Sequence, residues 1–185
     1  MNESMSSIVE LRQYTLHPGA RDTLIELFER EFVTGQEAAG IAVGGRFRDL
    51  DDPDRFVWLR AFPDMASRRR SLEAFYGGPV WRRHREAANA TMVDSDNVLL
   101  LRGPGFTARG AVLATVTICH PPDAATFEQY AARHLDPCHA LHRTEHAAND
   151  FPALPVREGE DVRVWFGTPA GPPPWPTQQL RLTHV

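Results

Sequence analysis

The sequence contains no lysine; all 20 of its basic side chains, counting Lys and Arg, are arginine. Without a lysine amine there is no Schiff base, which excludes pyridoxal-phosphate enzymes and lysine aldolases. A Walker-type phosphate loop is excluded for the same reason. Cysteine is scarce as well. Cys119 and Cys138 supply neither a disulfide framework nor a repeated Cys-x-x-Cys metal spacing. No apolar run approaches the ~20 residues of a membrane span, and the polar stretch Met1 to Ser7 does not read as a secretory leader. A cytoplasmic protein with no membrane partner is expected. The formal charge of −4 argues against broad electrostatic binding of nucleic acid. No Gly-x-Ser-x-Gly occurs, and no Gly-x-Gly-x-x-Gly follows a strand, so serine-hydrolase and dinucleotide readings lack support. What is present, 42% hydrophobic and 24% charged residues over 185 positions, suits one large domain or two small ones.

The chain repeats itself. Leu16-His17-Pro18 through Phe32 can be laid on Cys119-His120-Pro121 through Leu135 without a gap. His17 then matches His120, Pro18 matches Pro121, Thr23 matches Thr126 and Arg30 matches Arg133. Further on, Val57-Trp58-Leu59 and Pro63 echo Val164-Trp165-Phe166 and Pro169. Two matches in one order at nearly one offset point to two copies of a unit.

Periodicity outlines that unit. Ile8 to Leu16 alternates and is rich in strand formers. Ala20, Leu24, Leu27, Phe28 and Phe32 recur at helical spacing. Ile41 to Leu50 and Phe56 to Phe62 are strands joined by the Asp51-Asp52-Pro53-Asp54 turn. Met65, Leu72, Phe75 and Tyr76 form one helical stripe, and Val80 to Ala90 continues helical after Gly77-Gly78-Pro79. Asn97 to Arg102 is the closing strand. The order β-α-β-β-α-β is that of a ferredoxin-like unit. In the second copy Val112 to Ile118, Phe127 to Leu135, Val162 to Phe166 and Gln179 to His184 repeat the pattern. Pro169 to Pro176 is too short and too proline-rich for a second helix. The expected fold class is therefore α+β: two tandem ferredoxin-like units, residues 1–103 and 104–185, joined near Gly103-Pro104-Gly105. The second unit is degenerate and lacks its second helix. Two such sheets facing each other close a barrel, and exposed strand edges predict a homodimer.

Three segments carry a family resemblance: Ile8 to Leu16, Pro53 to Arg60, and Tyr76-Gly77-Gly78-Pro79-Val80-Trp81. They resemble the NIPSNAP family, of the dimeric α/β-barrel superfamily, with a weaker likeness from Asn149-Asp150-Phe151-Pro152 to Phe166. That resemblance implies a small-molecule-binding α/β barrel. Its superfamily includes cofactor-independent monooxygenases, polyketide cyclases and isomerases, which implies an enzyme acting on an aromatic or polyketide-like metabolite without a bound cofactor. The alternative it implies is a non-catalytic binding or scaffold protein.

Strand parity nominates the site. Val9 and Leu11 share one face of the first strand, and Glu10, Arg12 and Tyr14 share the other. Val57, Leu59 and Ala61 are similarly opposed to Phe56, Trp58, Arg60 and Phe62. Plain aliphatic faces suit helix packing, so the polar and aromatic faces are expected to line the barrel interior. There Arg12 and Arg60 would hold an anionic or carbonyl group, with Phe56, Trp58, Phe62 and Trp81 around the ligand. Glu10, Tyr14 and His84 are the candidate proton-transfer residues. Buried Glu–Arg pairs also serve simply to join two sheets. The cluster His134, His139, His142 and His146 has zinc-type ligands, but Pro137 interrupts any helix there and the repeat predicts a strand, so no metal is assigned. Arg68-Arg69-Arg70 and Arg82-Arg83-Arg85 read as solvated helix faces paired with local acids.

Overall fold

The computed structural model describes residues 6–105, 113–137, 139–167 and 171–185. Met1 to Met5, Val112, Cys138 and Pro169 lie outside these residues. The alternating first segment is strand β1 (Ser6–Leu16). After the His17-Pro18-Gly19 break, with Gly19 at φ +77°, one long helical segment follows. It consists of α1 (Arg21–Leu27), a π-helical turn (Phe28–Phe32) and α2 (Val33–Ala38). Strands β2 (Ala42–Asp49) and β3 (Arg55–Phe62) come next. Asp64 then caps α3 (Met65–Tyr76) by accepting the Ser67 amide at 2.6 Å. Pro79 opens α4 (Pro79–Asn89), where its missing N–H costs nothing. Strand β4 (Met92–Pro104) completes the first half and ends within Gly103-Pro104-Gly105.

The second half holds β5 (Leu113–Cys119), α5 (Ala124–His134), β6 (Leu141–Thr144), β7 (Arg163–Phe166) and β8 (Thr177–His184). Asp123 caps α5 through the Thr126 amide at 2.7 Å, as Asp64 caps α3. Among the described residues no helix lies between β7 and β8.

Among the described residues eight strands form one closed antiparallel barrel in the order β1-β3-β2-β8-β5-β7-β6-β4. The halves meet at two seams. At one, Phe47, Arg48 and Asp49 pair with His184, Thr183 and Leu182; at the other, Leu101 and Arg102 pair with Thr144 and Arg143. Among the described residues no strand is left without a neighbour on either side, so the edges that predict a homodimer are absent.

The faces are the reverse of the expected arrangement. Val9, Leu11, Val57, Leu59 and Ala61 pack with Leu99, Leu101, Val116, Ile118, Val164, Leu180 and Leu182 in one cluster drawn from both halves, which is the barrel interior. Ile8, Tyr14, Phe56, Trp58 and Phe62 pack instead with Leu24, Phe28, Phe32, Leu72 and Phe75 of the helices. The physical reason is room. An eight-stranded barrel is just wide enough for its interior to be filled by side chains, and compact branched aliphatics fill it best. The long polar and aromatic side chains fit only where the helix layer can stand away from the sheet.

Candidate functional site

Glu10 on β1 lies directly across from Arg60 on β3. Its carboxylate accepts from three guanidiniums: Arg12 Nη1 at 2.5 Å, Arg60 Nε at 2.7 Å and Arg68 Nε at 2.7 Å. All four side chains are at most 1% exposed. Arg68 reaches on to Asp150 Oδ1 at 2.9 Å and Asn149 Oδ1 at 3.0 Å, in the second half of the chain. Arg60 also donates to Gln36 Oε1 at 3.1 Å and to the Tyr76 hydroxyl at 3.3 Å. Arg12 donates from Nε to the Tyr14 hydroxyl at 3.2 Å.

Burial alone would raise the pKa of Glu10, yet Arg60, Arg12 and Arg68 together outweigh it and hold the carboxyl far below the usual range. Glu10 is thus ionised at neutral pH, and its oxygens are occupied. For Tyr14 burial is the larger influence and raises the hydroxyl, with Arg12 opposing it. Tyr14 therefore keeps its proton at neutral pH, and the hydroxyl that accepts from Arg12 can still give that proton outward.

Beside this cluster is a pocket of about 340 Å³ between the sheet and the first-half helices. Arg12, Tyr14 and Trp58 face it from the sheet, Phe28, Phe32, Gln36, Phe75, Tyr76 and Trp81 from the helices, and Phe151, Ala153 and Leu154 from the second half. Two local irregularities shape it. The π-helical turn spans Phe28 to Phe32 and contributes both rings to the wall; such turns recur at functional sites. The pairing of β1 with β4 slips between Gln13 and Thr15, a bulge in β4 that sets Ser95 and Asp96 against Tyr14. The rings of the wall pack on one another: Phe28 meets Trp58 at 4.7 Å and Tyr76 meets Trp81 at 4.9 Å, both edge-on. Gly35 lets α2 pass close to α3 and α4: a Cβ there would lie 3.1 Å from Val80 and 3.2 Å from Phe75, so these side chains would have to give way slightly.

The structure brings some of the nominated residues to this pocket and leaves others out. Arg12, Tyr14, Trp58 and Trp81 line it. Glu10 and Arg60 stand behind the lining, Phe56 is packed under Phe28 at 5.4 Å, and Phe62 lies under the Arg60 guanidinium at 5.7 Å. His84 is not at a barrel mouth; it sits against Phe32 with Nε2 3.6 Å from Glu31, outside the pocket lining. Arg68 corrects the reading of Arg68-Arg69-Arg70 as a solvated face: it is wholly buried, whereas Arg69 is exposed and paired with Glu73. A signal for this exists, since Arg68 falls on the Met65, Leu72, Phe75 stripe. Sequence pattern does not single out Gln36, Tyr76, Asn149 or Asp150 for the site. The first two occupy apolar stripes and the last two are joined to it only by the fold.

The histidine cluster disperses. His142 lies on β6, opposite Val164, with Nε2 2.9 Å from the Pro104 carbonyl, and burial lowers its pKa. His139 packs over Gly167, where a Cβ would meet its ring at 2.5 Å. Among the described residues no group of three His, Cys, Asp or Glu side chains is placed to hold a metal ion. Among them, too, no helix is long and apolar enough to cross a membrane.

The NIPSNAP family model matches residues 9–104, just over half of the chain. The chain belongs to the NIPSNAP family. Among solved structures, a NIPSNAP-like domain protein from Burkholderia xenovorans is 26% identical, over 53% of this chain and 86% of that one, with a TM-score of 0.47. Two proteins named as proposed monooxygenases match over both halves. The one from Lactobacillus acidophilus is 11% identical, over 97% of this chain and 94% of that one, at a TM-score of 0.60. The one from Fusobacterium nucleatum is 8% identical, over 96% and 92%, at 0.61. These two likenesses show the α+β barrel fold. No curated protein matches the chain. In this NIPSNAP protein the matched segment carries Glu10, Arg12, Tyr14, Trp58, Arg60 and Arg68, while Phe151, Ala153 and Leu154 line the pocket from beyond it.

Proposed function

We propose that this NIPSNAP protein is a cofactor-independent enzyme of monooxygenase, cyclase or isomerase type. It takes an aromatic or polyketide-like metabolite into the pocket between sheet and helices. We further read the chain as two tandem ferredoxin-like units whose sheets close on each other, which matches the strand orders β4-β1-β3-β2 and β6-β7-β5-β8.

One observation carries the functional reading. Two residues of the pocket lining have a hydrogen-bond donor in reserve: the buried Trp58 indole N–H has no acceptor among the described residues, and the Tyr14 hydroxyl accepts from Arg12 and keeps its own proton to give. Buried donors are ordinarily satisfied, so an oxygen acceptor on a ligand is the missing partner. A substrate carbonyl oxygen there is polarised by both donors toward negative charge. Donors fixed in a dry site stabilise that charge. Tyr14 is the proton donor of the pair; Glu10 anchors the guanidiniums and does not face the ligand.

The test is isothermal titration with 2-acetylnaphthalene, a planar aryl ketone. Binding to the parent protein is expected, with affinity about tenfold lower in Tyr14→Phe and in Trp58→Phe, since each loses one buried hydrogen bond to the ligand. Unchanged affinity in both variants would remove these residues from the site. The expected homodimer now has to use surfaces other than strand edges, with Leu50, Val93 and Leu141 as exposed apolar contacts. Light scattering checks it: twice 20.8 kDa is expected, and a mass of 20.8 kDa overturns it.

A further inference from the structure

We infer that the ligand of the Arg12–Tyr14–Trp58 pocket is a planar aromatic monoanion, a carboxylate or an enolate, whose charge completes a buried ion cluster that the protein leaves one negative charge short. This rests on the reading of that pocket as the ligand site and adds the charge of the molecule it takes.

The charges can be followed side chain by side chain. Three guanidiniums, Arg12, Arg60 and Arg68, share two carboxylates, Glu10 and Asp150. Arginine does not lose its proton in a protein, so the surplus of one positive charge is permanent. The remaining polar neighbours, Gln36, Tyr14, Tyr76 and Asn149, are uncharged partners; burial keeps the Tyr14 hydroxyl protonated. Asp96 lines the pocket but is exposed to solvent, where its charge is screened, and Glu31 is turned to His84. An unpaired charge away from water is costly, and buried charges are normally paired.

The surplus is also placed where a ligand can meet it. Arg68 contacts both carboxylates and Arg60 lies behind the wall, so Arg12 is the guanidinium that lines the pocket. It lies 5.5 Å from the ring centres of both Tyr14 and Trp58, the two residues with donors to spare. Hydrogen bonding shows the same shortage as charge. Arg60 Nη2, Arg68 Nη2 and Trp58 Nε1 are buried without an acceptor among the described residues. Of these groups only Trp58 belongs to the pocket lining, so a ligand oxyanion beside Arg12 answers the charge shortage directly, and the rings of Phe28, Phe32, Trp81 and Phe151 line the space for an aromatic body behind it.

Titration calorimetry of the full chain at pH 7 with 2-naphthoate and 2-naphthamide isolates the charge, because the two probes share ring, size and carbonyl. The inference expects 2-naphthoate to bind at least about tenfold more tightly. It also expects that preference to fall toward one in Arg12→Met, with circular dichroism confirming that the variant is folded. Should Arg12→Met not fold, the comparison in the parent protein still decides. Equal affinity for the two probes overturns the inference, as does binding of 2-acetylnaphthalene without 2-naphthoate, and both leave the pocket reading intact. If none of the three compounds binds, the pocket reading itself falls.

Discussion

Glu10→Gln is expected to be the most damaging conservative substitution in the protein, lowering stability by about 3–5 kcal/mol, the usual cost of removing one partner from a buried ion pair. Shape and size barely change, so the loss is electrostatic. Three guanidiniums that share the Glu10 oxygens at 2.5–2.7 Å would be left with Asp150 alone, and only Arg68 touches it. For a chain of this length the melting temperature should fall by about 6–20 °C. A variant as stable as the parent would mean that the cluster is wetter than the exposures of 0–1% indicate.

The same residue dictates how stability responds to acid. The folded-state pKa of Glu10 is depressed below its ordinary 4.5, so its contribution is fully present above that value. As pH falls further the unfolded chain takes up the proton first, and stability drops by up to about 1.4 kcal/mol per pH unit from this one group. Glu10→Gln has no such proton to bind. Urea unfolding of both proteins from pH 7 to pH 3 should therefore show the gap between them constant at the neutral end and shrinking below 4.5. A gap that widens on acidification would contradict the pairing.

Much of the architecture is legible from periodicity. The first-half strands and helices and the strand expected after Pro137 stand where alternation, helical spacing and the repeat put them, although β4 starts at Met92, before the expected Asn97. Parity along β1 and β3 is legible too, because Val9 and Leu11 do oppose Glu10, Arg12 and Tyr14. What parity cannot supply is which face is concave. Both faces of β1 and β3 are buried, one in the barrel and one under helices, so polarity no longer marks inside from outside. Arg68 reads as solvated because its arginine neighbours are, although its position on the apolar stripe argues otherwise. Asp150 and the Phe151–Leu154 wall depend on a segment that hydrogen-bonds along β4, through Glu145 to Leu100 and Arg157 to Val98. That contact spans some fifty residues of sequence and leaves no local pattern.

Leu11→Ala is expected to cost about 2–5 kcal/mol while leaving ligand affinity unchanged, and the pairing of those two results tests the corrected face assignment. Leu11 lies between Glu10 and Arg12 in sequence, so a mere disturbance of β1 would reach the pocket. Its side chain, however, is fully buried in the barrel with Leu59, Leu99 and Leu101, on the far side of the sheet from Trp58. Close packing prevents the interior from collapsing around the lost atoms, so a cavity remains and stability falls. The cross-strand pairs Glu10 with Arg60 and Arg12 with Trp58 do not involve the missing methyl groups. Denaturant unfolding should register the full loss, and 2-acetylnaphthalene should bind the folded variant within about twofold of the parent. A large drop in affinity with little loss of stability would return the ligand to the barrel interior and reverse the assignment of faces.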